Sequence, residues 1–248
     1  AVPQGVRARG VGDGKEWDRA WCGSGGGMAA RRGGCDAGAG GDVAKVAGKR
    51  EAEPPEWEAP ELPDEPESRK VRLVAKPDRT QLQIHLGHFM AASTAKDYPA
   101  IWLANEAYGG YGFGARMMSE IRENKGYSYG AYGSLVHDKQ ASTYTMSIAP
   151  AREQAQDALN LLLSLYEDFA AKGLSADELD YARGSILNSA AFYTDTPRRR
   201  LGYEVRTRLT GHDPLARLDD VRAATLAAVN AASATWVTPR SLSGTVLG

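Results

Sequence analysis

Apolar positions begin to recur with a clear period after about residue 68. VRLVA at 71–75 and TQLQIHL at 80–86 read as strands, the second with Leu82, Ile84 and Leu86 on one face and Gln81, Gln83 and His85 on the other. Pro99 stands where a first helical turn tolerates a missing N–H, and Ala100, Leu103, Ala104 and Ala107 follow at helical spacing until Gly109. A shorter helix carrying Ala115, Met118 and Ile121 is predicted to stop at Lys125 and Gly126. YSYGAYGSLV and ASTYTMSIA, joined by the polar turn HDKQ, predict an antiparallel hairpin. Further on, Ala155, Ala158, Leu162, Leu165 and Phe169 line one helical face, closed by Gly173. Ser175 with Glu178 forms a capping box for the next helix, and Thr196-Pro197 starts another that Gly211 stops. Residues 214–236 give a final helical region before SLSGTVL as a closing strand. Helices on one face of a mostly antiparallel sheet make an α+β domain over 68–248.

The upstream third has no such period. Of the 28 glycines, 14 fall in residues 1–50, which therefore offer little to a core. EAEPPEWEAPELPDEPE at 51–67 holds eight acids, five prolines and no base, so it repels itself and reads as an extended linker. Cys22 and Cys35 lie in the glycine-rich segment with no CxxC spacing or histidine beside them, and are read as incidental. A net charge of −1, mixed along the chain, gives no cationic face for nucleic acid. No apolar run reaches the eighteen or so residues a bilayer span needs, and AVPQGVRARG lacks the apolar core of a secretory signal, so a soluble chain with no membrane partner is predicted. Nothing in the sequence specifies a compartment.

Most candidate chemistry fails on pattern. A hydrolytic zinc site needs converging imidazole or carboxylate ligands, as HExxH or its inverse supplies from one helix, and His85, His88, His137 and His212 stand in no such motif. HLGH is a partial pair, but strand residues three apart point to opposite faces, so His85 is predicted on a polar sheet face and His88 at a strand end. GGYGFGAR at 109–116 follows a predicted helix rather than a strand, so its glycines are read as a hinge between two helices and not as a dinucleotide loop. RRRLGYEVRTR at 198–208 spreads its arginines around a helical cylinder and is read as a solvated helix, free to lie against the acidic linker. No GxSxG near a histidine, no Walker sequence and no cysteine after residue 35 completes a catalytic set.

IRENKGYSYG at 121–130 leaves one pair. Arg122, in the last turn of a predicted helix, and Tyr129, three residues into a predicted strand, can point into the same space. Arginine offers a fixed fork for a carbonyl or carboxylate, and a tyrosine hydroxyl can donate to an oxygen that gains charge in a transition state. Equally, Arg122 can complement the negative end of its helix while Tyr129 packs in the sheet. Spacing alone leaves both readings open.

RLVAKPDRTQLQIHLGH, DYPAIWLANEAYGGYGFGARMMSEIRENKGYSYGAYG and LSADELDYARGSILNS together make Lys70 to Gly248 resemble the carboxyl-terminal homologous domain of the insulinase/pitrilysin-type zinc metallopeptidases, the group that includes mitochondrial processing peptidase. The resemblance implies one of two similar domains facing each other across a chamber. One such domain holds an inverted HxxEH zinc motif and a further glutamate; the other holds an arginine and a tyrosine seven apart, the spacing of Arg122 and Tyr129. No HxxEH occurs in this chain. The resemblance therefore implies the non-zinc, substrate-binding half, with no cofactor of its own. Zinc is expected in an HxxEH-containing partner, either a second subunit of a heterodimer or a further domain, with a peptide as substrate and with Tyr129 and Arg122 as the catalytic contribution. A catalytically silent assembly subunit of the same fold is the other reading that the resemblance implies.

Overall fold

The structure is a computed structural model and describes residues 61–248. The glycine-rich segment, Cys22 and Cys35, and residues 51–60 of the acidic linker lie outside the described residues. Five strands form a mixed, mostly antiparallel sheet in the order β1-β5-β2-β4-β3: β1 Lys70–Val74, β2 Gln83–Met90, β3 Ala131–Val136, β4 Ser142–Ile148 and β5 Ser243–Leu247. Among the described residues, only β1 and β5 pair in parallel. The helices are α1 Tyr98–Gly109, α2 Ala155–Lys172, α3 Ala176–Ser189, α4 Pro197–Thr210, α5 Leu218–Ala223 and α6 Leu226–Trp236, with a π-helical segment at Met118–Asn124. This is the α+β arrangement that the periodicity predicts.

Alternation along the strands decides which sheet face is covered. Ile84, Leu86, His88 and Met90 of β2 pair with Ile148, Met146, Tyr144 and Ser142 of β4, and all eight are buried under the helices. The alternate residues Gln83 and His85 are exposed, and Phe89, Thr143, Thr145 and Ser147 are half-buried. β2 runs two residues beyond His88, so that histidine does not end the strand as expected but lies within it on the core side. Its Nδ1–H donates to the Phe89 carbonyl at 2.7 Å and its Nε2 accepts from the Tyr166 hydroxyl at 2.5 Å. That bond explains a second departure: α2 buries Ala155, Ala158, Leu162, Tyr166 and Phe169, with Tyr166 taking the place expected of Leu165. Ser175 and Glu178 make the capping box, and Thr196 caps α4 as read from sequence. The expected helical region 214–236 is instead two helices, because Thr225 leaves the helical backbone and caps α6 by accepting from the Ala228 N–H.

Two more imidazoles pack at the far end of the hairpin. His137 and His212 stack with centroids 4.0 Å apart, and His137 Nδ1 accepts from the Tyr98 hydroxyl at 2.5 Å. Burial pushes the His137 pKa down to about 4, with the charge of Arg206 adding to it. Burial, then His137, then Arg217 push His212 down to about 3. Burial also lowers His88, against the opposing effect of its bond to Phe89. Each ring stays neutral in the fold where the unfolded chain binds a proton, so stability is complete above pH 6.5 and falls as pH drops below it. For His212 the loss between pH 7 and 5 is about 2 kcal/mol. The urea midpoint is expected to fall steadily over that range, above the range where carboxylates titrate. A flat profile would show the rings protonated inside the fold.

Candidate functional site

The edge of the sheet beside β3 collects the residues that remain unexplained by packing. After Gly110 the chain runs through Tyr111, Gly112, Phe113 and Gly114 before turning helical again at Arg116. A Cβ on Gly114 would lie 2.5 Å from the Tyr181 ring, and the Gly114 N–H donates to the Tyr181 hydroxyl at 3.2 Å. The loop is thus held against α3 at its glycines while Phe113 projects outward, exposed.

The helix expected to carry Arg122 is π-helical from Met118 to Asn124. Met118 and Ile121 face the core, and the Gly126 and Tyr127 N–H groups close the end on the Arg122 and Ile121 carbonyls. Gly126 takes a φ of 64°, the left-handed turn that reverses the chain. Tyr129 does not lie in the expected strand but at a bend two residues before β3. The reason lies at Ser128: its buried hydroxyl donates to the Gly130 carbonyl at 2.6 Å and accepts from the Ala149 N–H across the hairpin at 2.9 Å, replacing ladder bonds with side-chain ones.

The two predicted residues nevertheless meet. The Arg122 guanidinium lies 4.5 Å from the Tyr129 ring centroid and 4.8 Å from that of Phe113, clamped between two aromatic faces. Its Nε pairs with Glu123 at 3.2 Å, and its terminal nitrogens make no hydrogen bond among the described residues. Tyr129 is 84% exposed, and its hydroxyl likewise has no partner among them. Beside this clamp, Tyr111 packs on Tyr132 at 4.9 Å and reaches Ser134 at 3.4 Å, which places aromatic surface along the outer edge of β3. The sequence reading missed Phe113. The one available signal was an aromatic set between glycines in GYGFG, a pattern that leaves a ring no neighbours of its own to pack on.

The described residues of this chain do not fit zinc. His85 and His88 point to opposite faces, while His137 and His212 stack on each other and the His137 Nδ1 is taken up by the Tyr98 hydroxyl. No three histidine, cysteine, aspartate or glutamate side chains gather around one point among the described residues. The basic run 198–208 is helix α4, which buries none of its residues. No helix among the described residues is long and apolar enough to cross a membrane.

A family model described as the peptidase M16 inactive domain matches residues 41–186, a span that begins upstream of Lys70. Among solved structures, the peptidase M16 inactive domain from Pseudomonas fluorescens gives a TM-score of 0.65 at 22% identity, covering 76% of this chain and 45% of that one. A protease from Helicobacter pylori gives 0.70 at 14%, covering 86% and 52%. The inactive peptidase domain of a putative zinc protease from Bordetella parapertussis gives 0.55 at 19%, covering 67% and 91%. The chain spans about half the length of the first two structures. No curated protein matches it. At these identities the likeness is one of fold.

Proposed function

This chain belongs to the M16 peptidase family as a domain of its inactive type, and from that premise we propose that it is the substrate-binding, non-zinc half of a bipartite endopeptidase acting on peptides. The observation that carries the reading is the clamp at the β3 edge: a guanidinium fixed between two rings, with its terminal nitrogens and the neighbouring phenol hydroxyl uncommitted among the described residues. Stacking restricts the arginine side chain in advance, so less entropy is lost when it binds a backbone carbonyl. Arg122 orients the substrate chain. The Tyr129 hydroxyl donates to the scissile carbonyl oxygen as that oxygen gains charge. The metal-activated water is the contribution of a zinc-binding half. The sheet face opposite the helices, with His85, Phe89, Thr143 and Thr145 around a cavity of about 340 Å³ that Glu65 and Pro66 also line, lies on the same side of the sheet as the Tyr132 and Ser134 side chains and offers room for an extended peptide.

Reconstitution tests this. A zinc-binding M16 domain from the same source, mixed with this chain, is expected to cleave a quenched peptide at least tenfold faster than either component alone. Stable association without any gain in cleavage would sink the proposal and leave an assembly subunit.

A further inference from the structure

A second cavity, of about 660 Å³, opens in the helix layer at the opposite end of β3 from Tyr129. Helix α4 forms one wall and the turn at Phe192 and Tyr193 another, while Trp102, His137 and His212 close the side toward the core. Three features set it apart from an ordinary solvated surface. Gly202 sits in the interior of α4 and lines the cavity, yet a Cβ built there meets nothing within 4 Å. No packing contact or positive φ accounts for a residue that weakens a helix; its effect is to leave the space open. His212 is 6% exposed, and its Nδ1 has no hydrogen-bond partner among the described residues. A buried polar atom of that kind is normally satisfied. Finally, the lining carries arginines. Among the described residues the charged side chains lining the cavity are Arg198, Arg199 and Arg206, of which Arg199 pairs with Asp195 at 2.7 Å, while the nearby Asp213 is engaged by the Tyr203 hydroxyl.

Trp102, Phe192, Tyr193 and Tyr203 also present rings to the cavity, with Thr196 and Thr207 between them. A guanidinium fork matches the two oxygens of a carboxylate, and aromatic walls take up a ring. A phosphate would gain most from converging backbone N–H groups, but at the start of α4 the Arg199 N–H is already taken by the Thr196 hydroxyl. We propose that this cavity binds the free carboxylate of a short peptide or amino-acid derivative that carries an aromatic side chain. The site is separate from the clamp at Tyr129 and does not depend on the peptidase reading.

The probe is N-acetylphenylalanine, followed through the imidazole carbon signals of His137 and His212, with the core ring of His88 as an internal reference. Saturable shifts of the first two signals are expected, with binding at least tenfold weaker for the neutral N-acetylphenylalaninamide and for the Arg206→Gln variant. Gly202→Leu should fill the space and abolish the shifts while raising or preserving Tm, since leucine favours a helix. The proposal is overturned by the absence of saturable shifts, by equal binding of the amide, or by unchanged binding in a folded Gly202→Leu chain. Tighter binding of phenyl phosphate than of N-acetylphenylalanine would overturn the carboxylate assignment.

Discussion

Tyr129→Phe, assayed in the complex with a zinc-binding half, is expected to lower kcat about a hundredfold and to leave KM nearly unchanged, the cost of losing one donor to a developing oxyanion. The hydroxyl has no partner among the described residues, so its removal orphans nothing in the fold. The ring that stacks on Arg122 at 4.5 Å is retained, and with it the guanidinium's position between Tyr129 and Phe113. An interaction that strengthens only as charge develops appears in kcat and not in ground-state binding. Arg122→Ala should behave differently and raise KM as well, because a contact to the substrate backbone is already made before the reaction. Steady-state kinetics on a quenched peptide, run beside a thermal melt of each variant, separate these outcomes. Normal kcat in a folded Tyr129→Phe complex would return this tyrosine to a purely structural role.

Arg116→Leu is expected to cost about 3 kcal/mol of stability, a fall in Tm of about 6–12 °C for a domain of this size. Arg116 donates from Nε and Nη2 to the two oxygens of Glu178, at 2.6 and 2.7 Å, and from Nη2 to the Gly173 carbonyl at 2.8 Å. Its guanidinium also lies over Tyr108 and Phe169, whose rings stack on each other at 4.5 Å. One side chain therefore ties the start of the π-helical segment to the junction of α2 and α3. Burial alone would raise the Glu178 pKa, but the bonds from Arg116 and the Ser175 N–H outweigh it and hold the carboxyl below its usual range. That contribution is present above the unfolded carboxylate pKa and is lost as pH falls through the folded one. Leucine removes both the charge partner and the capping of the Gly173 carbonyl, and leaves a half-buried carboxylate without its cation. In a double-mutant cycle, Arg116→Leu with Glu178→Gln should lose less than the sum of the single variants. A loss below about 1 kcal/mol would place the pair among ordinary surface ion pairs.

Legibility followed the range of the interaction concerned. The alternation of β2, the capping box at Ser175 and Glu178, the Thr196 cap and the hairpin about HDKQ all depend on neighbours within a few residues, and each forms as its local pattern predicts. The break between α5 and α6 is a local cap at Thr225, but two other departures involve a more distant partner. Tyr166 displaced Leu165 because a histidine on a strand 78 residues away accepts its hydroxyl. Tyr129 stayed out of β3 because Ser128 bonds Ala149 across the hairpin. Arg122 and Tyr129 could be named from their spacing and the family resemblance, but Phe113 could not, since its only relation to Arg122 is a contact across a glycine loop pinned to Tyr181.

By itself, then, the sequence determined the α+β class, the ends of most helices, the face of β2 that is buried, and the Arg122–Tyr129 pair as a candidate. Periodicity, capping and turn chemistry are local properties that the backbone must satisfy wherever it lies. Only the tertiary structure decided what those elements present to a ligand: the aromatic clamp on Arg122, the sheet face opposite the helices, and the arginines around Gly202 and His212. Each depends on how neighbouring segments turn and pack against the core, which residue order alone does not specify.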